Sequence, residues 1–135
     1  MFRLVKILNG RINQGEVVRV PSNPGIKYSL GEALVLSSGK ATRCGATTKP
    51  TFICCEDYTT PAADPRDILV EPISPDMIFE APICDAPDGL AIGSKVTLDT
   101  STGMGITATT ASGVATIFDL AGAKAAGDKC LVQFK

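Results

Sequence analysis

Histidine and tryptophan are absent from this 135-residue chain, and aromatic residues make up only 5% of it. Histidine is the commonest general base in enzymes, so Ser-His-Asp and Cys-His catalytic arrangements are excluded. Glycosidases need paired carboxylates across a cleft, and the sequence offers only a loose group of aspartates at positions 57, 64, 67 and 76. The sequence therefore predicts a protein that is not an enzyme and that has no catalytic residues.

A charge excess and a long apolar run are also missing. The formal net charge is -1, and no stretch concentrates Lys or Arg. Affinity for nucleic acid depends mainly on neutralising phosphates, so no nucleic-acid partner is expected. No apolar run approaches the ~20 residues that span a bilayer, so no membrane partner is expected. The start, MFRLVKILNG, has no apolar signal-peptide core, so we do not expect it to be one.

The five cysteines form no CxxC pair. Without histidine a Cys/His zinc site is excluded, and a four-cysteine site has no support. DAPDG (residues 85–89) lacks the closing Glu of a calcium loop, and SSGK (residues 37–40) is not a P-loop. We therefore expect no metal and no cofactor, with the thiols acting as small apolar side chains in a reducing compartment.

A short motif recurs instead: glycine, a polar residue, then alternating apolar residues. It occurs as QGEVVRV, LGEALVL, IGSKVTL and AGDKCLVQF, beginning at residues 14, 30, 92 and 126. Glycine adopts positive φ at tight turns, and the alternation predicts a strand after each turn. In the second copy Ala33 and Val35 share one face and Leu34 and Leu36 share the other. Apolar residues on both faces predict a strand that is covered on both sides.

The two middle copies belong to a longer internal pseudo-repeat, residues 30–55 and 92–118. Between them lies a connecting region, residues 57–87, with six of the nine prolines. Within it, residues 68–73 and 77–83 are predicted strands joined by a turn at Ser74-Pro75-Asp76, and residues 58–67 are a predicted exposed loop. Leu120–Asp128 is the best helix candidate, of at most a turn or two.

These patterns predict an all-β protein: a compact single domain over residues 1–135, built as a β-barrel or sandwich of eight to ten short strands with at most one short helical turn. The five phenylalanines lie in apolar strands and are predicted core residues.

Five segments of the chain resemble small proteins encoded among the head genes of tailed bacteriophages, the capsid decoration or cement proteins. They are LVKILNGRINQGEVVRVP, YSLGEALVLSSGKAT, KPTFICCEDYT, VEPISPDMIFEAP and GLAIGSKVTL. The resemblance implies a structural virion protein, assembled in the bacterial cytoplasm, that binds the exterior of an assembled capsid. It would stabilise the shell by clamping neighbouring major capsid proteins, often as a homotrimer.

The expected partners are therefore the major capsid protein and further copies of this chain. The resemblance suggests capsid contacts in the N-terminal segment and in the 58–67 loop, at Met1, Phe2, Arg3, Leu4, Lys6, Tyr58 and Arg66. It suggests subunit contacts at Met77, Ile78 and Phe79. Two alternatives remain open: a tail or baseplate β domain that binds a host-surface glycan, with Tyr28 and Tyr58 as the only tyrosines for its groove, and an interaction module or enzyme of unrecognised type.

Overall fold

The computed structural model describes residues 1–8 and 16–135, which form twelve short β-strands and no helix. The strands are β1 (Arg3–Ile7), β2 (Val18–Val20), β3 (Lys27–Tyr28), β4 (Ala33–Ser37), β5 (Lys40–Arg43), β6 (Phe52–Cys54), β7 (Tyr58–Thr59), β8 (Ile68–Pro72), β9 (Met77–Pro82), β10 (Lys95–Val96), β11 (Ala115–Asp119) and β12 (Lys129–Gln133). The all-β prediction is confirmed. The alanine-rich helix candidate after β11 forms turns.

The strands make two five-stranded sheets and one two-stranded ribbon, with every strand pair antiparallel. The first sheet has the order β1-β9-β12-β11-β10, the second sheet has the order β2-β8-β6-β4-β5, and the ribbon is β3-β7. The first sheet curls at one end, because Ile106 bridges both Leu98, just beyond β10, and Ile83, just beyond β9. The architecture is a sandwich with barrel-like closure.

The connection between β8 and β9 passes from the second sheet to the first. The strands β8 and β9 lie in different sheets and are joined through the predicted turn, in which the Met77 N–H donates to the Ser74 carbonyl at 3.1 Å. The strand β1 pairs with β9, and β2 pairs with β8. The N-terminal part of the chain therefore supplies one of the two outermost strands of each five-stranded sheet.

The interior consists of two apolar clusters, one on each side of the second sheet. The larger lies between the two five-stranded sheets and is centred on Phe79, Val132 and Phe134. The smaller lies between the second sheet and the ribbon, around Tyr28 and Ile68. Strand β4 contributes to both, since Ala33 belongs to the larger cluster and Leu34 to the smaller. This confirms that β4 is covered on both faces, although Leu36 at its end is 44% exposed.

The recurring glycine motif forms the same backbone structure in its three described copies. The glycines have φ of +79°, +90° and +91°, at Gly31, Gly93 and Gly127. Each donates its N–H to a strand carbonyl, at 2.8, 2.8 and 2.7 Å, from Gly31 to Cys54, from Gly93 to Ile117 and from Gly127 to Ile83. Each strand residue donates back to the residue after the glycine, at 2.8, 2.8 and 2.9 Å. Two residues thus oppose one, which is a glycine β-bulge.

The polar residue after the glycine has its own role in this unit. Its side chain accepts a hydrogen bond from the backbone N–H three residues earlier, at 3.0, 3.1 and 2.9 Å, in the pairs Ser29–Glu32, Ala91–Ser94 and Ala125–Asp128. Short polar acceptors satisfy turn amides in this way. The motif therefore encodes a capped turn followed by a bulge. The copy that begins at residue 14 starts outside the described residues.

The internal pseudo-repeat keeps a common structure only as far as Leu36 and Leu98. After Leu36 the chain reverses through Ser38 and Gly39, whose φ angles of 50° and 74° make a tight hairpin that Lys40 ends. After Leu98 the chain takes a longer loop before Ile106 pairs back. The two copies of the pseudo-repeat therefore do not form equivalent hairpins.

Candidate functional site

The surface that stands out is the described part of the outermost strands, residues 1–8 and 16–20, which we call the N-terminal edge. Here β1 is the terminal strand of the first sheet and β2 is the terminal strand of the second. β2 has no second partner strand within residues 1–8 and 16–135. Just after β2, the Pro21 carbonyl accepts the Ala41 N–H at 2.8 Å. Unpaired strand edges offer backbone donors and acceptors to another chain.

Exposed apolar side chains concentrate on this edge. Nine large hydrophobic residues are exposed in the described part of the chain, and five of them lie on the N-terminal edge: Met1 (51%), Val5 (41%), Leu8 (45%), Val17 (52%) and Val18 (36%). The remaining four are scattered over later segments, at Ile26, Leu30, Leu36 and Ile92. Single exposed apolar residues are ordinary, whereas an accumulation of them in two edge segments is typical of sites that contact other molecules.

The inner side of β1 is anchored firmly. Phe2 is 3% exposed, and its ring meets the Phe134 ring edge-on with a centroid separation of 5.3 Å. The Phe2 N–H donates to the Gly31 carbonyl at 3.0 Å. A β-bulge between Leu4 and Lys6 shifts the register against β9. The strand is thus fixed from inside while Met1 and Val5 stay exposed.

The charges on the N-terminal edge are mostly positive. Arg3 pairs with Glu80 of β9 at 3.1 Å, and Lys129 of β12 reaches the same carboxylate at 2.9 Å. These hydrogen bonds, that of Lys129 foremost, lower the pKa of Glu80. Lys6 and Arg19 are exposed beside the apolar side chains. The edge therefore combines apolar side chains with cations.

The structure places the suggested capsid-contact residues of the N-terminal segment on both sides of β1. Met1, Arg3 and Lys6 are exposed, Leu4 is half-buried against the larger core cluster, and Phe2 is enclosed in it. Val17 and Val18 were not among the predicted contact residues. Their signal was present in QGEVVRV, which carries the strand motif of the other copies.

Tyr58 and Arg66, suggested contacts from the 58–67 segment, lie directly against each other. The Arg66 guanidinium sits 3.7 Å from the Tyr58 ring centroid and also makes two hydrogen bonds to Glu56, at 2.9 and 2.7 Å. Glu56 further accepts the Leu69 N–H at 2.7 Å. Arg66 therefore holds the segment in place through contacts within the domain.

The 58–67 segment is a loop only in part. Tyr58–Thr59 form β7, and Thr60 is buried, whereas residues 61–64 are exposed. The Thr60 hydroxyl accepts the Ile26 N–H at 2.7 Å and donates to the Asn23 carbonyl at 2.7 Å. The exposed residues 61–64 therefore follow directly on Thr60, which is hydrogen-bonded to the segment before β3.

The suggested subunit-contact residues are enclosed within the domain. Met77, Ile78 and Phe79 are 8%, 1% and 0% exposed. Met77 and Phe79 belong to the larger core cluster, where Phe79 lies 5.6 Å from Phe134 between ring centroids. A contact of these side chains with another subunit would require β9 to leave the sheet.

The cysteines are poor nucleophiles in this fold. Burial raises the pKa of Cys44 to about 12, and of Cys54 and Cys130 to about 11. Partial burial and the Asp99 carboxylate raise the pKa of Cys84 to about 11. Thiols with such pKa values stay protonated at neutral pH, and it is the thiolate that reacts.

The Asp99 carboxylate accepts hydrogen bonds from residues of its own loop. Burial tends to raise its pKa, but hydrogen bonds from Thr102 and Ser101 outweigh burial and lower it. The Ser101 and Thr102 N–H groups lie 2.9 and 3.2 Å from its oxygens. Within residues 1–8 and 16–135, no three Cys, Asp or Glu side chains come together in a metal-binding group.

Neither tyrosine presents a free ring to a ligand. Tyr28 is 1% exposed, and its hydroxyl donates to the Ala41 carbonyl at 2.8 Å. Tyr58 is half-buried against the smaller core cluster and is covered by Arg66. The stacking surface that a glycan-binding groove uses would have to come from other residues.

No protein-family model matches this chain, and no curated protein matches it in sequence. In the described part of the chain, no helix is long and apolar enough to cross a membrane.

Proposed function

We propose that this chain is a structural virion protein that binds the outer surface of an assembled phage capsid. It stabilises the shell by clamping neighbouring major capsid proteins. The observation that carries the proposal is the N-terminal edge, where the outermost strands of both sheets present exposed apolar side chains beside cations. The sequence resemblance supplies the class of partner.

The chemistry of the N-terminal edge suits an extended segment of a capsid protein. An added strand would gain backbone hydrogen bonds from the edge of β1 that has no partner strand within the described residues, and Val5 and Leu8 would contact its side chains. Arg3, Lys6 and Arg19 favour a partner surface with acidic residues. Because the contacts of Phe2 with Phe134 and with the Gly31 carbonyl already fix the start of β1, little conformational freedom is lost on binding.

Stabilisation follows from mass action if the protein binds the assembled lattice and not the free capsid subunit. Several weak contacts within one oligomer add through effective concentration. We propose a homotrimer as that oligomer. Its interface uses surface other than the enclosed side chains of β9.

Co-sedimentation tests this proposal, with expanded heads assembled from the major capsid protein of the genome that encodes this chain. We expect the protein to sediment with the heads and not with free capsid subunits, and light scattering to give the mass of a trimer. Val5→Asp places a charge on the exposed bulge of β1 and should weaken head binding at least about tenfold, because it buries an unpaired carboxylate in the contact.

Ile92→Asp is the matched control, since Ile92 is 72% exposed, lies outside the N-terminal edge and undergoes the same change of chemistry. It should bind heads like the unmodified protein, and both variants should keep its melting temperature. Absence of head binding by the unmodified protein, or equal binding by Val5→Asp, would contradict the proposal.

A further inference from the structure

A second surface lies between the ribbon and the end strand of the second sheet. There a groove of about 420 Å³ runs between Ile26–Tyr28 on one wall and Ala41–Arg43 on the other. Asn23, Gly25 and Glu32 complete the lining. This volume falls in the range of sites that hold a few side chains of a bound segment.

Most polar groups of the groove are already bound to the protein itself. The Tyr28 hydroxyl accepts the Asn23 N–H at 2.9 Å and donates to the Ala41 carbonyl at 2.8 Å. The Asn23 amide donates to the Ala41 carbonyl at 2.9 Å and to the Thr42 hydroxyl at 3.3 Å. These bonds make the walls rigid and leave them few donors or acceptors for a ligand.

Two cations are the exception. The Arg43 Nε donates to the enclosed Glu32 carboxylate, which also accepts the Ser29 N–H at 3.0 Å. That bond orients the guanidinium of Arg43. The two terminal nitrogens of this guanidinium make no hydrogen bond within the described residues, and the Arg43 side chain is 42% exposed. Lys27 on the opposite wall is exposed and forms no ion pair there. Residues 9–15 offer these cations no acidic side chain either, because they contain no Asp or Glu.

Beside these cations the groove is apolar. Ile26 is 44% exposed, and around Gly25 there is open space where a side chain would stand. Gly103 packs closely against the Arg43 side chain, since a Cβ at this glycine would lie 3.1 Å from both Arg43 Cδ and Arg43 Nε. A guanidinium held from behind and tethered at Nε offers a preorganised fork for a carboxylate.

We propose that this groove binds an extended acidic segment of another protein, with one carboxylate on the Arg43 fork, a second near Lys27 and an apolar side chain against Ile26. The cations Lys27 and Arg43 on the two walls and the exposed Ile26 next to Lys27 argue for this occupant. The inference does not rest on the capsid proposal, because the groove is formed by β3 and β5 and not by the N-terminal edge.

A nuclear magnetic resonance titration tests it, with a blocked heptapeptide of alternating glutamate and leucine and with its glutamine twin. The acidic peptide should shift the amide signals of residues 26–28 and 41–43 and the Arg43 Nε signal. The glutamine twin should bind about tenfold more weakly, because each lost carboxylate removes a charge pair. Raising the salt concentration should weaken binding of the acidic peptide only.

Lys27→Glu should weaken binding of the acidic peptide by about tenfold, because it replaces attraction by repulsion at an exposed site. Lys124→Glu makes the same change of net charge in the exposed turn after β11 and should leave the affinity unchanged. Equal binding of the two peptides, an absence of shifts in the groove, or equal affinities for the two variants would overturn the proposal. So would inorganic phosphate binding as tightly as the acidic peptide, since that marks a simple anion site.

Discussion

Replacing Gly31 by alanine tests whether the capped turn before β4 also holds the N-terminal edge. Gly31 has φ +79°, and a Cβ there would lie 2.3 Å from the Met1 Cβ and 3.0 Å from the Phe2 carbonyl oxygen. At Gly93, with φ +90°, nothing lies within 4 Å of an added Cβ. The two positions thus share the same strained backbone and differ in the contact with β1.

The magnitudes follow from this difference. Alanine at positive φ costs about 1–2 kcal/mol, and lower freedom of the unfolded chain offsets about 0.4–1 kcal/mol, so Gly93→Ala should destabilise by about 1 kcal/mol. Gly31→Ala must also displace the start of β1. Losing the Phe2–Gly31 hydrogen bond costs about 0.5–1.5 kcal/mol, and disturbing the Phe2–Phe134 ring contact costs about as much again. The total for Gly31→Ala is about 2–4 kcal/mol.

Urea unfolding followed by circular dichroism measures both free energies of unfolding. Amide hydrogen exchange gives a second readout, since the Phe2 N–H should lose protection in Gly31→Ala and keep it in Gly93→Ala. If the two variants lose the same stability and the Phe2 amide stays protected in both, then Gly31 does not fix the N-terminal edge.

Two further predictions concern the core and a thiol. Phe134→Ala should lower the free energy of unfolding by about 3–5 kcal/mol in the same urea assay, because it empties the space between Phe2 and Phe79; a loss below about 1 kcal/mol would contradict this packing. Asp99→Asn should lower the pKa of Cys84 from about 11 towards that of a free thiol, so its alkylation at pH 8, followed by mass spectrometry, should accelerate. An unchanged pH profile of alkylation would show that Asp99 does not raise that pKa.

The segment around β9 shows where sequence reasoning reached its limit. Alternation along residues 77–83 predicts a strand, and the structure has it at Met77–Pro82. Alternation also places Ile78 and Phe79 on opposite faces, yet both are enclosed. The period of a strand assigns residues to faces but does not say which face other parts of the chain will cover. The alternating pattern therefore could not show whether the side chains of Met77, Ile78 and Phe79 are exposed, as the predicted subunit contact requires.

In the N-terminal edge, too, the sequence could not show which apolar side chains are buried and which are exposed. The apolar character of MFRLVKIL was visible in the sequence, but its division into anchored Phe2 and exposed Val5 depends on pairing with β9 and on the bulge. The contact of Arg66 with Tyr58 was not predicted, because the two residues meet only after β7 and β8 have joined different sheets.

The sequence by itself determined the strands and the turns that begin them, because both depend on residues within a few positions. A glycine at positive φ, a polar cap after it and alternating apolar residues specify a turn and a strand without help from the rest of the chain, whereas the bulge also needs a distant partner, as Gly31 needs Cys54. Only the tertiary structure decided that β1 and β2 become the outermost strands of two sheets. That arrangement depends on pairing between residues about fifty to eighty positions apart, such as Arg3 with Glu80, and local patterns do not encode it.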